Sequence, residues 1–337
     1  VSTNNSTGCM IIPAGPTEHR GGRGRLVFGG GYDYPSPYTE LGTMDMVEIS
    51  TLGNAVDFGD FTQARYAHNM GSSGTRGIMA AGGYPGNPTN RSQVIDYVTF
   101  QSGGGASDFG EMSVAPIRAA GFGNGVRGVF AGGYIGSSPY QTITTMQYVN
   151  IATLGNSIVA FGEINKYTAP KSGGNKSDMS VADRTRGCIG GLQTYFHPAT
   201  TSTNSIVFVT TATLGDSQDF GDLTIARTSS NGVSSSTTRG LFYSGSPGPT
   251  AAKNTIDYIT IQTKGNAVNF GDMTTSGNSG GSNHGSNLTR SVNHDSGGGN
   301  TIEYVTITTL GNTQDFGDLT VARVSYAGLD NSNGSIA

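Results

Sequence analysis

The chain has 337 residues, two cysteines, no tryptophan and a formal net charge of −4. Charged residues make up 12% of it without any basic block, so the cationic stripe that nucleic-acid binding needs is missing. No apolar run approaches the roughly 20 residues of a membrane-spanning helix, so no membrane insertion is expected. The 54 glycines fit a disordered chain by composition, but the apolar residues fall in regular alternating blocks, which disordered tracts lack. The chain begins at Val1 with no signal-peptide core, which reads as a processed start or a fragment boundary.

One phrase recurs six times: ISTLGNAVDFGD, TFQSGGGASDFGE, NIATLGNSIVAFGE, TTATLGDSQDFGD, TIQTKGNAVNFGD and TITTLGNTQDFGD. Its marker aromatics are Phe58, Phe109, Phe161, Phe220, Phe270 and Phe316. The period is about 50 residues, which is propeller spacing. A second phrase precedes each copy: GRLVFGGG, RGIMAAGG, RGVFAGG, RGCIGG, RGLFYSG and a degraded RSVNHDSGG. Period-2 alternation between Gly, Asn and Asp clusters predicts four short antiparallel strands per unit, a to d from axis to rim, and no helix.

In chain order, residues 1–20 form an N-terminal extension and residues 21–337 a single propeller. The first blade has strand b at Leu26–Gly30, c at Met46–Thr51 and d at Val56–Thr62, and it takes its strand a from residues 323–334. The tail Arg323-VSYAGLDNSNG resembles Arg65-YAHNMGSSG, the start of a unit, so the C-terminal segment is expected to close the ring. Blades two to six span approximately 65–114, 115–166, 167–225, 226–274 and 275–322. Strand a, as in AAGFGNG, is built of tiny side chains that suit the narrow axis. Strands b and c, with Ile95 and Tyr97, Ile256 and Tyr258, Ile302 and Tyr304, supply the layers between blades. The FGD step reads as a turn or bulge because Gly admits positive φ. The fold class is therefore all-β, a six-bladed propeller with short protected edges.

Recurring charges come next. Asp60 precedes Arg65, Asp222 precedes Arg227, and Asp318 precedes Arg323. These are expected to form structural ion pairs between neighbouring strands or blades, with bidentate geometry. A further arginine precedes strand b at Arg76, Arg127, Arg186, Arg239 and Arg290. Cys188 occupies an apolar strand position and reads as a small buried hydrophobe; a bond to Cys9 stays open. Copper oxidase chemistry would need imidazoles near the axis, where His68 and His284 both fall. Sialidase-type chemistry would bring Asp boxes with Trp, and the chain has no Trp. No catalytic residue, metal or cofactor is assigned.

The units differ mainly in the loops between strands b and c, which read GYDYPSPYTELGT, GYPGNPTNRS, GYIGSSPYQT, GLQTYFHPATTST and GSPGPTAAKN, with only GGGN in the sixth. With the long d–a region after Glu163, these place Tyr32, Tyr34, Tyr38, Tyr84, Tyr134, Tyr140, Tyr167, Tyr195, Phe196 and His197 on one end of the ring. Tyr amid small polar residues gives rigid contact area with adaptable hydrogen bonding. These ten residues are the candidate binding site, weighed against simple capping of the barrel end.

The double Gly followed by Tyr at Gly82-Gly83-Tyr84 and Gly132-Gly133-Tyr134 resembles kelch blades, although Phe of FGD stands where kelch units carry Trp. The wording TRG-[IV]-[MF]-A-GG with NTIDYVTI-x-TLGN-x-x-DFGDLT-x-AR resembles repeats in virion structural and tail-fibre proteins of marine tailed phages, including those of cyanobacteria. The resemblance covers the chain from about Gly21 on. It implies a non-enzymatic virion or other extracellular component. The expected partners are other virion or surface-assembly subunits, or a host cell-surface polysaccharide. Two other classes remain beside it: a carbohydrate-active or metal-dependent propeller enzyme, and an intracellular kelch-type adaptor.

Overall fold

The computed structural model describes residues 24–34, 39–84, 91–136, 141–164, 175–176, 179–196, 199–227, 231–235, 238–247, 253–277, 284–294 and 297–332. Its described regular elements are strands and include no helix. Six four-stranded antiparallel sheets form the blades of a six-bladed β-propeller. In order a, b, c, d, blade 1 is Ala327–Asp330, Arg25–Gly29, Thr43–Glu48 and Val56–Asp60. Blade 2 is Asn69–Ser72, Arg76–Ala80, Val94–Thr99 and Ser107–Glu111. Blade 3 is Ala120–Gly123, Arg127–Ala131, Thr145–Asn150 and Ile158–Glu163. Blade 4 is Met179–Ala182, Arg186–Gly190, Ser205–Thr210 and Gln218–Asp222. Blade 5 is Asn231–Ser235, Arg239–Gly245, Lys253–Thr260 and Val268–Gly277. Blade 6 is His284–Ser286, Arg290–His294, Thr301–Thr306 and Gln314–Asp318.

Strand c of blade 1 lies three residues earlier than its sequence suggests. Residues Ile49 to Thr51 leave the sheet because Thr51 N–H donates to Glu48 O at 3.1 Å and begins the turn. Strand a of blade 1 pairs with strand b from Leu26↔Asp330 to Gly29↔Ala327. Arg323–Val324 does not join that sheet and pairs instead with Tyr32–Asp33.

Apolar clusters sit between blades rather than within them. Leu26, Phe28 and Val47 of blade 1 pack with Val292, Ile302 and Phe316 of blade 6. Val207 and Val209 of blade 4 pack with Val129 and Phe161 of blade 3. Each large side chain buried this way contributes about 1.5–3 kcal/mol. At the axis the inner strands nearly touch. A Cβ on Gly121 would lie 2.4 Å from Met70 O, and Ser180 Oγ–H donates to Gly121 O at 2.8 Å. The tiny residues of strand a are therefore a packing requirement.

The repeated phrase is one clasp made by two blades. The c–d turn of each blade lies on strand d of the blade before it. Its Gly N–H donates to the marker Phe O (Gly104 to Phe58, Gly155 to Phe109, Gly215 to Phe161, Gly265 to Phe220, Gly311 to Phe270, Gly53 to Phe316) at 2.6–2.9 Å. The residue two positions on, such as Ala106 or Ala55, donates to the carbonyl of the following acid, Asp60 or Asp318, at 2.7 and 2.8 Å. The acid's own N–H donates to the turn Asn or Asp in five interfaces, as Asp318 does to Asn54 Oδ1 at 3.1 Å. The clasp covers a strand edge that would otherwise invite pairing with another chain. It also explains the Gly of FGD. At Gly317, φ is +151° and a Cβ would meet Gly53 O at 2.4 Å, so conformation and space both demand glycine.

A second ring of contacts runs beside the clasps. The arginine opening each strand b donates Nη1–H to carbonyls of the next blade: Arg25 to Phe100, Arg76 to Ile151, Arg127 to Thr211, Arg186 to Ile261, Arg239 to Ile307 and Arg290 to Ile49. In blades 2 to 6 the guanidinium also lies 4.7–5.1 Å over Tyr97, Tyr148, Phe208, Tyr258 or Tyr304 of its own strand c, a cation–π contact. That aromatic in turn meets the marker Phe edge-on, as Tyr97 does Phe109 with centroids 6.1 Å apart.

Candidate functional site

The recurring charges are sorted differently from the sequence expectation. Arg65, Arg227 and Arg323 do form ion pairs, but not with Asp60, Asp222 and Asp318. Arg65 Nη2 meets Asp96 Oδ2 at 2.6 Å, Arg227 meets Asp257 at 3.0 Å, and Arg323 meets Asp45 at 3.0 Å. The partner is the strand c acid of the same blade, and both side chains are buried. Asp60 is exposed and Asp222 and Asp318 half-buried; what recurs there is the backbone clasp, which Asp and Glu serve equally. A threonine completes each pair, as Thr62 Oγ1–H does to Asp96 Oδ1 at 2.6 Å. Burial opposes both charges, lowering the Arg65 pKa and raising that of Asp96, while each charge favours the other.

Blades 3 and 4 show what replaces the pair. In blade 3, Gln147 stands for the acid and Pro116 for the arginine. Gln147 Nε2–H donates to Val114 O at 2.7 Å, and its Oε1 accepts from Val114 N–H and Ser157 Oγ–H. In blade 4 the acid position is Val207, fully buried. The blade 3 substitute carries no charge and is hydrogen-bonded in place, consistent with a structural role for the pair.

His68 and His284 are the two histidines expected near the axis. His68 is 2% exposed and T-stacked on Phe61, and among the described residues neither ring nitrogen has a hydrogen-bond partner. Burial, with the Arg65 charge, pushes its pKa down to about 3. The side chain of His284 lies outside the described residues. Among the described residues no group of three or more His, Cys, Asp or Glu is placed to hold a metal. Cys188 is fully buried and its thiol pKa is raised by burial; Cys9 lies outside the described residues.

In blades 1, 2 and 3 the b–c loop pairs with the d–a segment beside it: Tyr32↔Val324, Gly83↔Tyr66 and Tyr134↔Ile117. These registers make Gly83, not Tyr84, the counterpart of Tyr32 and Tyr134. Blade 2 supplies its ring from the other segment. Tyr66 covers Gly83 so closely that a Cβ there would lie 2.4 Å from the ring. Tyr66 also stacks on Tyr32, with centroids 4.3 Å apart and planes at 30°. Burial, followed by the hydrogen bond to Tyr66, raises the Tyr32 pKa.

Arg91 extends this strip into blade 3. Its guanidinium lies 5.2 Å over Tyr134, and its Nη2–H donates to Gly136 O at 2.7 Å. At the other end, Tyr34 is 40% exposed. Its ring lies against Gly298, where a Cβ would be 3.0 Å away, so Tyr34 of blade 1 reaches the short loop of blade 6. Tyr84 is half-buried. Of the other expected residues, Tyr38, Tyr140, Tyr167 and His197 lie outside the described residues. Tyr195 and Phe196 fall in the strand Gln193–Phe196, with no account of their side chains. Tyr66 and Arg91 were missed because a d–a segment and a polar loop end gave no aromatic-loop signal of their own.

The molecule is thus a six-bladed β-propeller with an aromatic strip of Tyr34, Tyr32, Tyr66, Arg91 and Tyr134 along one sector of its loop end. Compared with known proteins, the chain matches no family model and no curated protein.

Proposed function

We propose that this protein is a non-enzymatic component of a virion, of the tail or fibre type, whose loop end binds a host surface glycan. The single observation that carries this reading is the strip from Tyr34 through Tyr32, Tyr66 and Arg91 to Tyr134. It gives stacked rings, one exposed ring and a cation held over another ring. Aromatic faces take the apolar faces of sugar rings while polar neighbours orient the hydroxyls. Weak charge dependence suits binding in high salt, where long-range electrostatics are screened. The sequence resemblance to phage virion repeats supports the setting.

The test is binding of cell-surface polysaccharide from marine cyanobacteria to the wild type and to a Tyr34→Ala/Tyr134→Ala variant. Affinity should fall by about 100-fold, on the scale of tenfold per aromatic contact. Unchanged affinity in a variant that melts with the wild type would sink the proposal.

A further inference from the structure

We infer that two copies of this ring stack through the end that carries the a–b and c–d turns, opposite the loop end. The c–d turns hold large apolar residues that the fold does not use. Leu52, Leu154, Leu214 and Leu310 occupy the same turn position in blades 1, 3, 4 and 6 and are 55, 58, 49 and 58% exposed. Val56, Ile158 and Val268, shortly after the turns of blades 1, 3 and 5, are exposed as well. Singly scattered apolar residues on a surface mean little. A leucine kept at one exposed position in four blades, while the loops at the other end diverge, marks a covered surface.

The two exceptions identify the occupant. The position is Gly103 in blade 2 and Lys264 in blade 5. Each blade clasps the one before it and blade 1 clasps blade 6, so blades 2 and 5 stand diametrically opposed. The ring therefore reads Leu, Gly, Leu, Leu, Lys, Leu. A two-fold axis in this face, running between blades 3 and 4 and between blades 6 and 1, exchanges blade 3 with 4, 1 with 6 and 2 with 5. It sets Leu154 against Leu214 of the second copy, Leu52 against Leu310, and Lys264 against the glycine turn Gly103 to Gly105. Exposed Asp108 follows that turn and supplies the opposite charge, and the space around Gly103 and Gly104 is open. The other two-fold that matches the leucines passes through blades 2 and 5 and would oppose lysine with lysine. An asymmetric partner would need one sector only; a second copy uses all of them, as an isologous interface does. Stacked in this way, the two copies leave both loop ends free and facing away from each other. The inference does not depend on what the loop end binds.

The experiment is sedimentation equilibrium of the full chain, wild type and Leu154→Asp/Leu214→Asp, with circular dichroism to check that the variant is folded. The wild type should dimerise, and the variant's dimer dissociation constant should rise by about 100-fold or more, since both substituted turns sit in the interface twice. A wild type that stays monomeric up to about 100 µM, or a dimer that the substitutions leave intact, overturns the inference. The register is read by oxidative cross-linking in a Cys9→Ser background. A Leu154→Cys/Leu214→Cys chain should cross-link to a second copy and a Leu52→Cys/Leu154→Cys chain should not; the reverse pattern contradicts the axis.

Discussion

The two ends of the ring are made by the same repeat and have opposite histories within it. At the turn end, TLGN and FGD form a backbone clasp whose dimensions hardly vary over six interfaces. Its hydrogen bonds from glycine N–H to phenylalanine carbonyl span only 2.6–2.9 Å. At the loop end blades 1 to 3 differ: blade 1 lays Tyr34 over blade 6, blade 2 borrows Tyr66, and blade 3 offers Tyr134 to Arg91. The difference shows where each blade is constrained. A clasp that must mate with a copy of itself cannot drift alone, whereas a loop facing outward can. Only the clasp's leucine escapes this logic, being kept in four of the six blades while exposed.

The comparison can be broken most severely at the buried charges. Asp96→Ala leaves Arg65 buried without its carboxylate and should cost about 3–5 kcal/mol, seen as a lower denaturation midpoint. The paired change Arg65→Pro/Asp96→Gln, which copies blade 3 into blade 2, should recover most of that loss. If the double variant is as unstable as the single one, the internal comparison between blades fails.

Acid should act through His68. Its pKa falls from 6.5 unfolded to about 3 folded, so the folded state favours the neutral ring. That contribution is fully present above pH 6.5 and is lost progressively as pH drops from 6.5 toward 3. His68→Phe should flatten the stability profile across this window; a profile with the same slope would remove His68 from the account. A finer cut distinguishes the two glycines of the closing clasp. Gly317→Ala meets Gly53 O and should cost roughly 2 kcal/mol or more, while Gly53→Ala, with nothing within 4 Å, should lose only its conformational term of about 1 kcal/mol. Equal losses in thermal unfolding would show that the clasp is not sterically tight there.

Much of the fold was legible because it is repeated: six aligned copies of Phe-Gly-acid announce six blades, and alternation gives the strands. The partner of each arginine was not legible. Asp60 lies five residues from Arg65 in sequence, but Asp96, 31 residues away, faces it across the blade, and spacing along a chain carries no information about that. The loop site was half legible. Tyr32, Tyr34 and Tyr134 stood out as loop aromatics, whereas Tyr66 joins them only because Gly83 leaves space for its ring. The exposed leucines looked like part of the constant framework, since a sequence does not say which constant residues face water.

The central claim is that recognition belongs to the loop end and assembly to the turn end. Hydroxyl-radical footprinting of the protein with and without cyanobacterial surface polysaccharide tests it directly. The account predicts protection of Tyr34, Tyr66 and Tyr134 on adding the polysaccharide, with Leu52 and Leu310 unchanged. Protection at the leucine turns, with the tyrosines as reactive as before, would contradict it.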